Sequence, residues 1–186
     1  MQSDSLKDKL AGKYIICVCE GNAEEAIIEL LLEHDLLCFK RDDLLQKSCT
    51  QIRAGDRLAE EYLRQEHERD VVILRIQDRG KERLKLPKSY KHRVYAIYNV
   101  ITRPEIEILH VFANGLKDDF DREKRRQRQL QPSDYCQAQF SEWNVKSKEF
   151  IDYMYANDTN KLIRAIEQQY RFSQQTGYKL KDILAC

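Results

Sequence analysis

The sequence lacks the long apolar segments and the charge imbalance that mark several protein classes. No apolar run approaches the ~20 residues that a helix needs to span a bilayer, and residues 1–7 contain no apolar segment of the kind found in a signal peptide. The 32 basic and 31 acidic residues almost cancel, leaving a formal charge of +1. We therefore expect a cytoplasmic protein with no membrane partner, in which any basic surface is local.

Cysteine clusters and nucleotide-binding glycine motifs are also missing. The six cysteines include no closely spaced Cys/His set, so a structural zinc site is not expected. We expect Cys17 and Cys19, on one predicted strand, to face opposite sides of the sheet and not to form a chelating pair, and we predict buried free thiols. Gly21 stands alone, which argues against a P-loop or a dinucleotide fingerprint, and no Ser-centred nucleophile elbow is present.

The first 115 residues carry short β-branched segments that alternate with amphipathic segments. Strands are predicted at about 14–19, 36–39, 70–76 and 93–100, and helices at about 23–34, 56–67 and 104–114. The apolar run at 70–76 is typical of a central strand buried on both faces. The order βαβαββα predicts an α/β fold, a three-layer sandwich with a mainly parallel sheet.

The composition changes after Gly115. Residues 117–131 are almost wholly charged or Gln, and the apolar spacing over 132–173 predicts two or three helices. We therefore expect an α/β domain at residues 13–115 and a helical extension at 116–186 that packs on it.

Acidic residues follow three of the predicted strands. Glu20 ends the first strand, Asp78 follows the central one, and Glu105 and Glu107 follow the fourth. Because the carboxyl ends of adjacent parallel strands meet at one edge of a sheet, these carboxylates are expected to share a cleft. Such a cleft suits Mg²⁺ or Mn²⁺, which binds carboxylates, waters and phosphate oxygens. Helix-dipole contacts for the glutamates and an ordinary turn at Asp78 are the structural alternatives.

Two motifs resemble a known family. Glu20-Gly21-Asn22-Ala23-Glu24, between a strand and a helix, resembles the first motif of Toprim domains, the catalytic fold of topoisomerases, bacterial primases and OLD-type nucleases. Pro104-x-x-Glu107 is similar to a later motif of small standalone Toprim-like proteins associated with bacterial defence. The resemblance covers residues 13–115 and implies a Toprim-like sheet.

The resemblance also implies roles for individual residues. The catalytic residues would be Glu20, Asp78 and Glu107, and the metal ligands would be Glu20, Asp78, Glu105 and Glu107. In this scheme Glu20 is a metal ligand or general base, Asp78 is a ligand, and Glu107, or Glu105 in its place, is a ligand or orients water. Glu24 is expected to be a first-turn acid of the helix rather than a ligand.

One motif departs from the family. Toprim domains usually carry Asp-x-Asp after the central strand, whereas Ile76-Gln77-Asp78 keeps at most the second acid. Two functions therefore stay open. The first is a Mg²⁺-dependent nuclease that acts on DNA or RNA, in phage defence according to the resemblance. The second is a catalytically degenerate Toprim-like module that binds nucleic acid or a partner protein through its helical extension; an α/β enzyme for a small phosphorylated substrate is a third.

A basic run follows the α/β region. Five of its residues are predicted to contact nucleic-acid phosphates: Arg122, Lys124, Arg125, Arg126 and Arg128. The run also contains acids at helical spacing, such as Asp121 four residues before Arg125. Runs of this kind usually form solvated helices with internal ion pairs, and for the run alone we favour that interpretation.

Overall fold

Three strands form an open parallel sheet in the order β1-β2-β3. The computed structural model describes residues 5–78, 83–173 and 176–185. The strands are β1 at Tyr14–Cys19, β2 at Val71–Gln77 and β3 at Ala96–Ile101. Every residue of β2 is buried, as expected for a central strand between two parallel neighbours. The fold is therefore mixed α/β, and the predicted mainly parallel character of the sheet is confirmed.

Helices pack on both faces of this sheet, and five of those in the described residues lie in the second half of the chain. The described residues contain these α-helices: α1 Leu6–Leu10, α2 Asn22–Glu33, α3 Gly55–Tyr62, α4 Ile108–Ala113, α5 Lys117–Arg126, α6 Pro132–Gln139, α7 Lys148–Tyr155 and α8 Thr159–Phe172. The three helices in 132–173 confirm the prediction for that segment. No described helix has both the length and the apolar character needed to cross a membrane.

Alternation along β1 divides the apolar side chains between two cores. Ile15 lies in the larger core, which also contains residues of α2, α4, α7 and α8. Ile16 and Val18 lie in the smaller core, against Leu58 of α3. Because the strand has a side-chain period of two, a single apolar segment serves both faces of the sheet.

Cys17 and Cys19 face the same side of the sheet, so our expectation of opposite faces is wrong. Residues two positions apart on a strand share a face, and both cysteines belong to the larger core. Cys49 joins them from the connection between α2 and α3, and the three Sγ atoms lie within 4.8 Å of one another. All three are free thiols, as predicted.

The segment predicted as a second strand, 36–39, does not enter the sheet. Leu37 instead forms an isolated antiparallel bridge with Leu184, and the Cys38 N–H donates to the carbonyl of Ile183 at 2.8 Å. Its partner is thus the carboxyl-terminal segment, in which Leu180–Ile183 form a 3₁₀ turn. Local sequence predicted the extended conformation but not the pairing.

The helix predicted from Pro104 begins four residues later, at Ile108. Before it, the N–H of Ile108 donates to the carbonyl of Glu105 at 3.2 Å, and the N–H of Leu109 donates to that of Ile106 at 3.0 Å. These three-residue spacings describe tight turns rather than an α-helix. The turns place Glu107 at the N-cap position of α4.

The carboxyl-terminal helices share the larger core with the sheet. Phe150 of α7 is fully buried in the same apolar cluster as Ile28 of α2 and Leu74 of β2. Nearby, the buried Tyr155 hydroxyl lies 2.7 Å from Nδ1 of His110 on α4. The carboxyl-terminal helices therefore share a core with the sheet and α2.

Replacing Phe150 by Ala is expected to lower the free energy of unfolding by about 3–5 kcal/mol, because the change removes a buried ring and leaves a cavity. Urea denaturation measures this loss. Phe172 is 67% exposed, so Phe172→Ala is the matched control, with an expected loss of at most about 1.5 kcal/mol from its contact with Phe112. Equal losses in the two variants would contradict the shared core.

Candidate acidic site at the carboxyl edge of the sheet

Glu20 connects the carboxyl ends of β1 and β2. Its N–H donates to the carbonyl of Ile76 at 3.0 Å, which extends the strand pairing by one residue. Its Oε2 accepts the N–H of Asp78 at 2.9 Å. The structure therefore brings Glu20 and Asp78 to one edge of the sheet, as predicted. Arg53 Nη1 lies 3.6 Å from Glu20 Oε1, and the Arg53 side chain is about half exposed.

Glu24 is the functional candidate that sequence reasoning missed. It lies in the first turn of α2, yet it is only 8% exposed. Burial, together with the negative charges of Glu107, Glu20 and Asp78, raises the pKa of its carboxyl group to about 7. These four carboxylates are therefore close enough to interact. The signal was present in the sequence, since Glu24 is the second acid of the Glu-Gly-x-x-Glu motif.

Gly21 leaves room for the Glu24 carboxylate. A Cβ atom at position 21 would lie 3.3 Å from Glu24 Oε2, closer than ordinary van der Waals contact. The backbone at Gly21 is extended, so a positive φ angle does not explain the glycine. Its small size instead lets the carboxylate fold back against the turn that carries Glu20.

Glu107 approaches the same group of acids from the start of α4. It is 3% exposed, and burial raises the pKa of its carboxyl group while the nearby Lys146 ammonium opposes that rise. The Lys146 Nζ atom lies 3.6 Å from Glu107 Oε1 on a half-exposed side chain. Glu107 therefore has one cation partner at the surface, as Glu20 has in Arg53.

Glu105 lies close enough to Glu107 to raise its pKa but has a different hydrogen-bond partner. Its Oε2 accepts the N–H of Ser133 at 2.9 Å, in the first turn of α6. A carboxylate in this position satisfies a helix N–H and interacts favourably with the helix dipole. The structure therefore gives Glu105 a helix-capping role, and its predicted role as a metal ligand stays a prediction.

The spacing of the acids differs from that of a preformed cation site. Across residues 5–78, 83–173 and 176–185, one set of three Cys, His, Asp or Glu ligand atoms lies within 4.8 Å of one another, and it consists of the three thiols. The acidic side chains interact electrostatically without reaching that spacing. A shared ion would therefore require their rotamers to converge.

Two buried polar atoms near this edge also have no hydrogen-bond partner within the described part of the chain. They are Nε2 of Gln77, at the end of β2, and Oγ1 of Thr102, the residue after β3. The two residues are adjacent, because the N–H of Thr102 donates to the carbonyl of Gln77 at 2.9 Å. Buried polar groups are normally hydrogen-bonded, which sets these two atoms apart from their neighbours.

The predicted nucleic-acid contacts lie on and just after α5, and most bind their own neighbours. Arg122 pairs with Asp119, and Arg126 Nη1 lies 3.0 Å from Glu123 Oε1. Lys124 Nζ donates to the backbone carbonyl of Leu130, four residues after the end of α5. These contacts are those of a solvated, internally paired helix.

The remaining two basic residues are more available. Arg125 donates from Nε to the carbonyl of Asp121 at 3.3 Å, which differs from the side-chain pair suggested by the sequence; Asp121 pairs instead with Lys117. Arg128 is exposed beyond the end of the helix. Contact of the basic run with nucleic acid stays a prediction.

Comparison of this chain with protein-family models, curated proteins and solved structures finds no match. The Toprim resemblance therefore remains a prediction from the two sequence motifs. Ile76, at the position where Toprim domains usually have an acid, is fully buried beside Cys19 and Val100. Its side chain belongs to the larger core and supplies no metal ligand.

Stability is expected to fall as the pH rises from about 4.5 to about 7, because folded Glu24 keeps its proton over a range in which the unfolded chain loses it. Glu24→Gln removes this contribution, so the variant should gain roughly 1–3 kcal/mol relative to wild type at pH 8. Urea denaturation at pH 5 and pH 8 measures the difference. Glu60→Gln, at an exposed position on α3, should lose as much unfolding free energy between pH 5 and pH 8 as wild type does. An equal loss in Glu24→Gln would show that Glu24 does not cause the pH dependence.

Proposed function

We propose that this protein is a divalent-cation-dependent nuclease that hydrolyses phosphodiester bonds in DNA or RNA. The observation that carries the proposal is the convergence of Glu20, Asp78 and Glu107 on the buried Glu24 at the carboxyl edge of a parallel sheet. This edge is where open α/β folds bind ligands. A concentration of buried negative charge is unfavourable unless a cation or protons neutralise it.

The carboxylates suggest a division of roles. Glu20, Asp78 and Glu107 would hold Mg²⁺ or Mn²⁺, with Glu105 as the neighbour of Glu107. When bound, the ion would neutralise phosphate oxygens and increase the acidity of a water molecule. Glu24, with a pKa near 7, can hold or release a proton at neutral pH, which is the property of a general acid or base.

Two cationic side chains at the rim fit a phosphate substrate. Arg53 lies beside Glu20 and Lys146 lies beside Glu107, each at 3.6 Å. In each pair the cation is about half exposed, while its acid is more buried. Both cations can therefore turn toward solvent and contact the phosphate backbone when an ion binds the acids. The basic residues of α5 would contact further phosphates of a longer nucleic acid.

The fold and setting belong to the same proposal. A Toprim-like three-layer arrangement and a cytoplasmic role in phage defence are supported by the Glu-Gly-x-x-Glu and Pro-x-x-Glu motifs. The three parallel strands and the buried cores on both faces of the sheet are compatible with that arrangement.

The nuclease proposal predicts cleavage of DNA or RNA in Mg²⁺ or Mn²⁺ and loss of cleavage in EDTA. Glu20→Gln should reduce the rate by at least about 100-fold, because it removes a charged ligand or base while preserving size. Gel assays with labelled single- and double-stranded substrates measure the rate. Glu60→Gln should match wild type, and cleavage by none of the proteins, or equal cleavage by Glu20→Gln and wild type, would reject the nuclease.

The second candidate is a catalytically degenerate module that binds nucleic acid or a protein. It is favoured by the fully buried Ile76 in place of an acid and by carboxylates that do not reach cation-site spacing. In this case the docking surface would be the helical extension.

The degenerate module predicts binding without cleavage. Nucleic-acid affinity should be insensitive to EDTA and should fall with increasing salt. Paired Arg125→Ala and Arg128→Ala substitutions should weaken binding further, whereas Glu20→Gln should not. Fluorescence anisotropy with a labelled oligonucleotide measures these affinities. Salt-independent binding, or no effect of the two arginines, would exclude nucleic acid as the partner of this surface.

A further inference from the structure

Three cysteine thiols meet inside the larger core. Cys17 and Cys19 lie on β1, and Cys49 lies in the connection before α3; they are 1%, 0% and 7% exposed. Their Sγ atoms all lie within 4.8 Å of one another. This group is separate from the carboxylates, and the function proposed above does not use it.

Backbone hydrogen bonds fix the three positions. Thr50 forms a parallel bridge with Val18: the Cys19 N–H donates to the Thr50 carbonyl at 2.8 Å, and the Thr50 N–H donates to the Cys17 carbonyl at 2.9 Å. The residue before Thr50 therefore lies beside Cys17. The Cys49 N–H also donates to Glu29 Oε1 on α2 at 3.1 Å. The convergence thus depends on main-chain pairing rather than on flexible side chains.

We propose that Cys17, Cys19 and Cys49 bind one soft, thiophilic cation of the Cu(I) class in a three-coordinate site. Thiolates are soft ligands that select Cu(I), zinc or iron–sulfur clusters. Three metal–sulfur bonds of about 2.3 Å in a trigonal arrangement separate the sulfurs by roughly 4 Å, a spacing that the three Sγ atoms can adopt with small rotations.

The number of available ligands distinguishes Cu(I) from zinc at this site. Zinc in structural sites takes four ligands. In the described residues no His, Asp, Glu or further Cys joins the three thiols within the same spacing. Glu29 approaches the backbone of Cys49, but its carboxylate pairs with Arg41 at 2.7 Å. A cation that accepts three sulfur ligands therefore fits better than one that requires four.

Cu(I) binding requires the thiols to lose protons. Binding one Cu(I) would convert up to three thiols to thiolates and release up to three protons, with no change in the oxidation state of copper or sulfur. Cys49 is the least buried of the three.

An ion bound by the three thiols would link two segments that reach the acidic edge. Cys19 immediately precedes Glu20, and Cys49 lies four residues before Arg53, whose guanidinium pairs with Glu20. An ion held by the thiols would therefore fix the 49–53 segment against the end of β1. This consequence adds to the binding proposal, which stands whether or not the protein is a nuclease.

The test uses the full chain, reduced with a thiol-free reductant and titrated with Cu(I) under anaerobic conditions against a competing chelator. One tightly bound equivalent is expected, with thiolate-to-copper absorption in the ultraviolet. X-ray absorption on the loaded wild-type protein should show three sulfur neighbours at about 2.3 Å. This measurement on the wild type does not depend on whether a variant folds.

Variants then identify the ligands. Cys49→Ala, at the least buried position, should weaken Cu(I) binding by at least about 100-fold, because losing a direct ligand costs no less than losing a supporting contact. Cys136→Ala is the matched control, because Cys136 is fully buried in the same core but is not one of the three thiols; its affinity should equal that of wild type. Circular dichroism checks the fold of both variants.

Three results would overturn the proposal. The first is the absence of a tight Cu(I) equivalent in the wild-type protein. The second is equal affinity in wild type and folded Cys49→Ala, which would assign the ion to other thiols. The third is preferential binding of Zn²⁺ in a four-coordinate site, which would reject the three-coordinate class.

Discussion

The parallel pairing of β1 with β2 fixes the positions of both groups of chemically active side chains. Its register sets Cys19 opposite Ile76, and the next residue, Glu20, continues the pairing through hydrogen bonds to Ile76 and Asp78. The same strand turns Cys17 and Cys19 toward the larger core. One six-residue strand thus carries thiols along its length and a carboxylate at its end, because side chains alternate while strand ends converge.

At the acidic edge, buried negative charge is only partly neutralised by cations at the surface. Glu24 and Glu107 are almost fully buried, and burial together with the surrounding negative charge makes their ionised forms unfavourable. Arg53 and Lys146 neutralise part of this charge from the surface, at contacts that solvent weakens. Such an arrangement costs stability, and a group that costs stability without improving packing is typical of a functional site.

The elements with strong local signals were predictable from sequence. β1 and β2 follow from β-branched apolar runs, and the positions of Glu20 and Asp78 follow from the rule that parallel strands end at one edge. The long-range features were not predictable. Segment 36–39 pairs with Leu184, far along the chain, and the raised pKa of Glu24 depends in part on Glu107 at the start of α4. Cys49 reaches β1 only because Thr50 pairs with Val18, a contact that leaves no periodic signal in either segment.

If the edge carboxylates act together as one cation site, a bound cation must change the titration of Glu24. Carbon-13 NMR of the side-chain carboxyl group, assigned with the Glu24→Gln variant, follows this titration with and without Mg²⁺. We expect a pKa of about 7 in the absence of Mg²⁺ and a lower pKa in its presence, because a bound cation favours the ionised carboxylates. A Glu24 pKa that Mg²⁺ leaves unchanged would show that these carboxylates do not form a shared cation site.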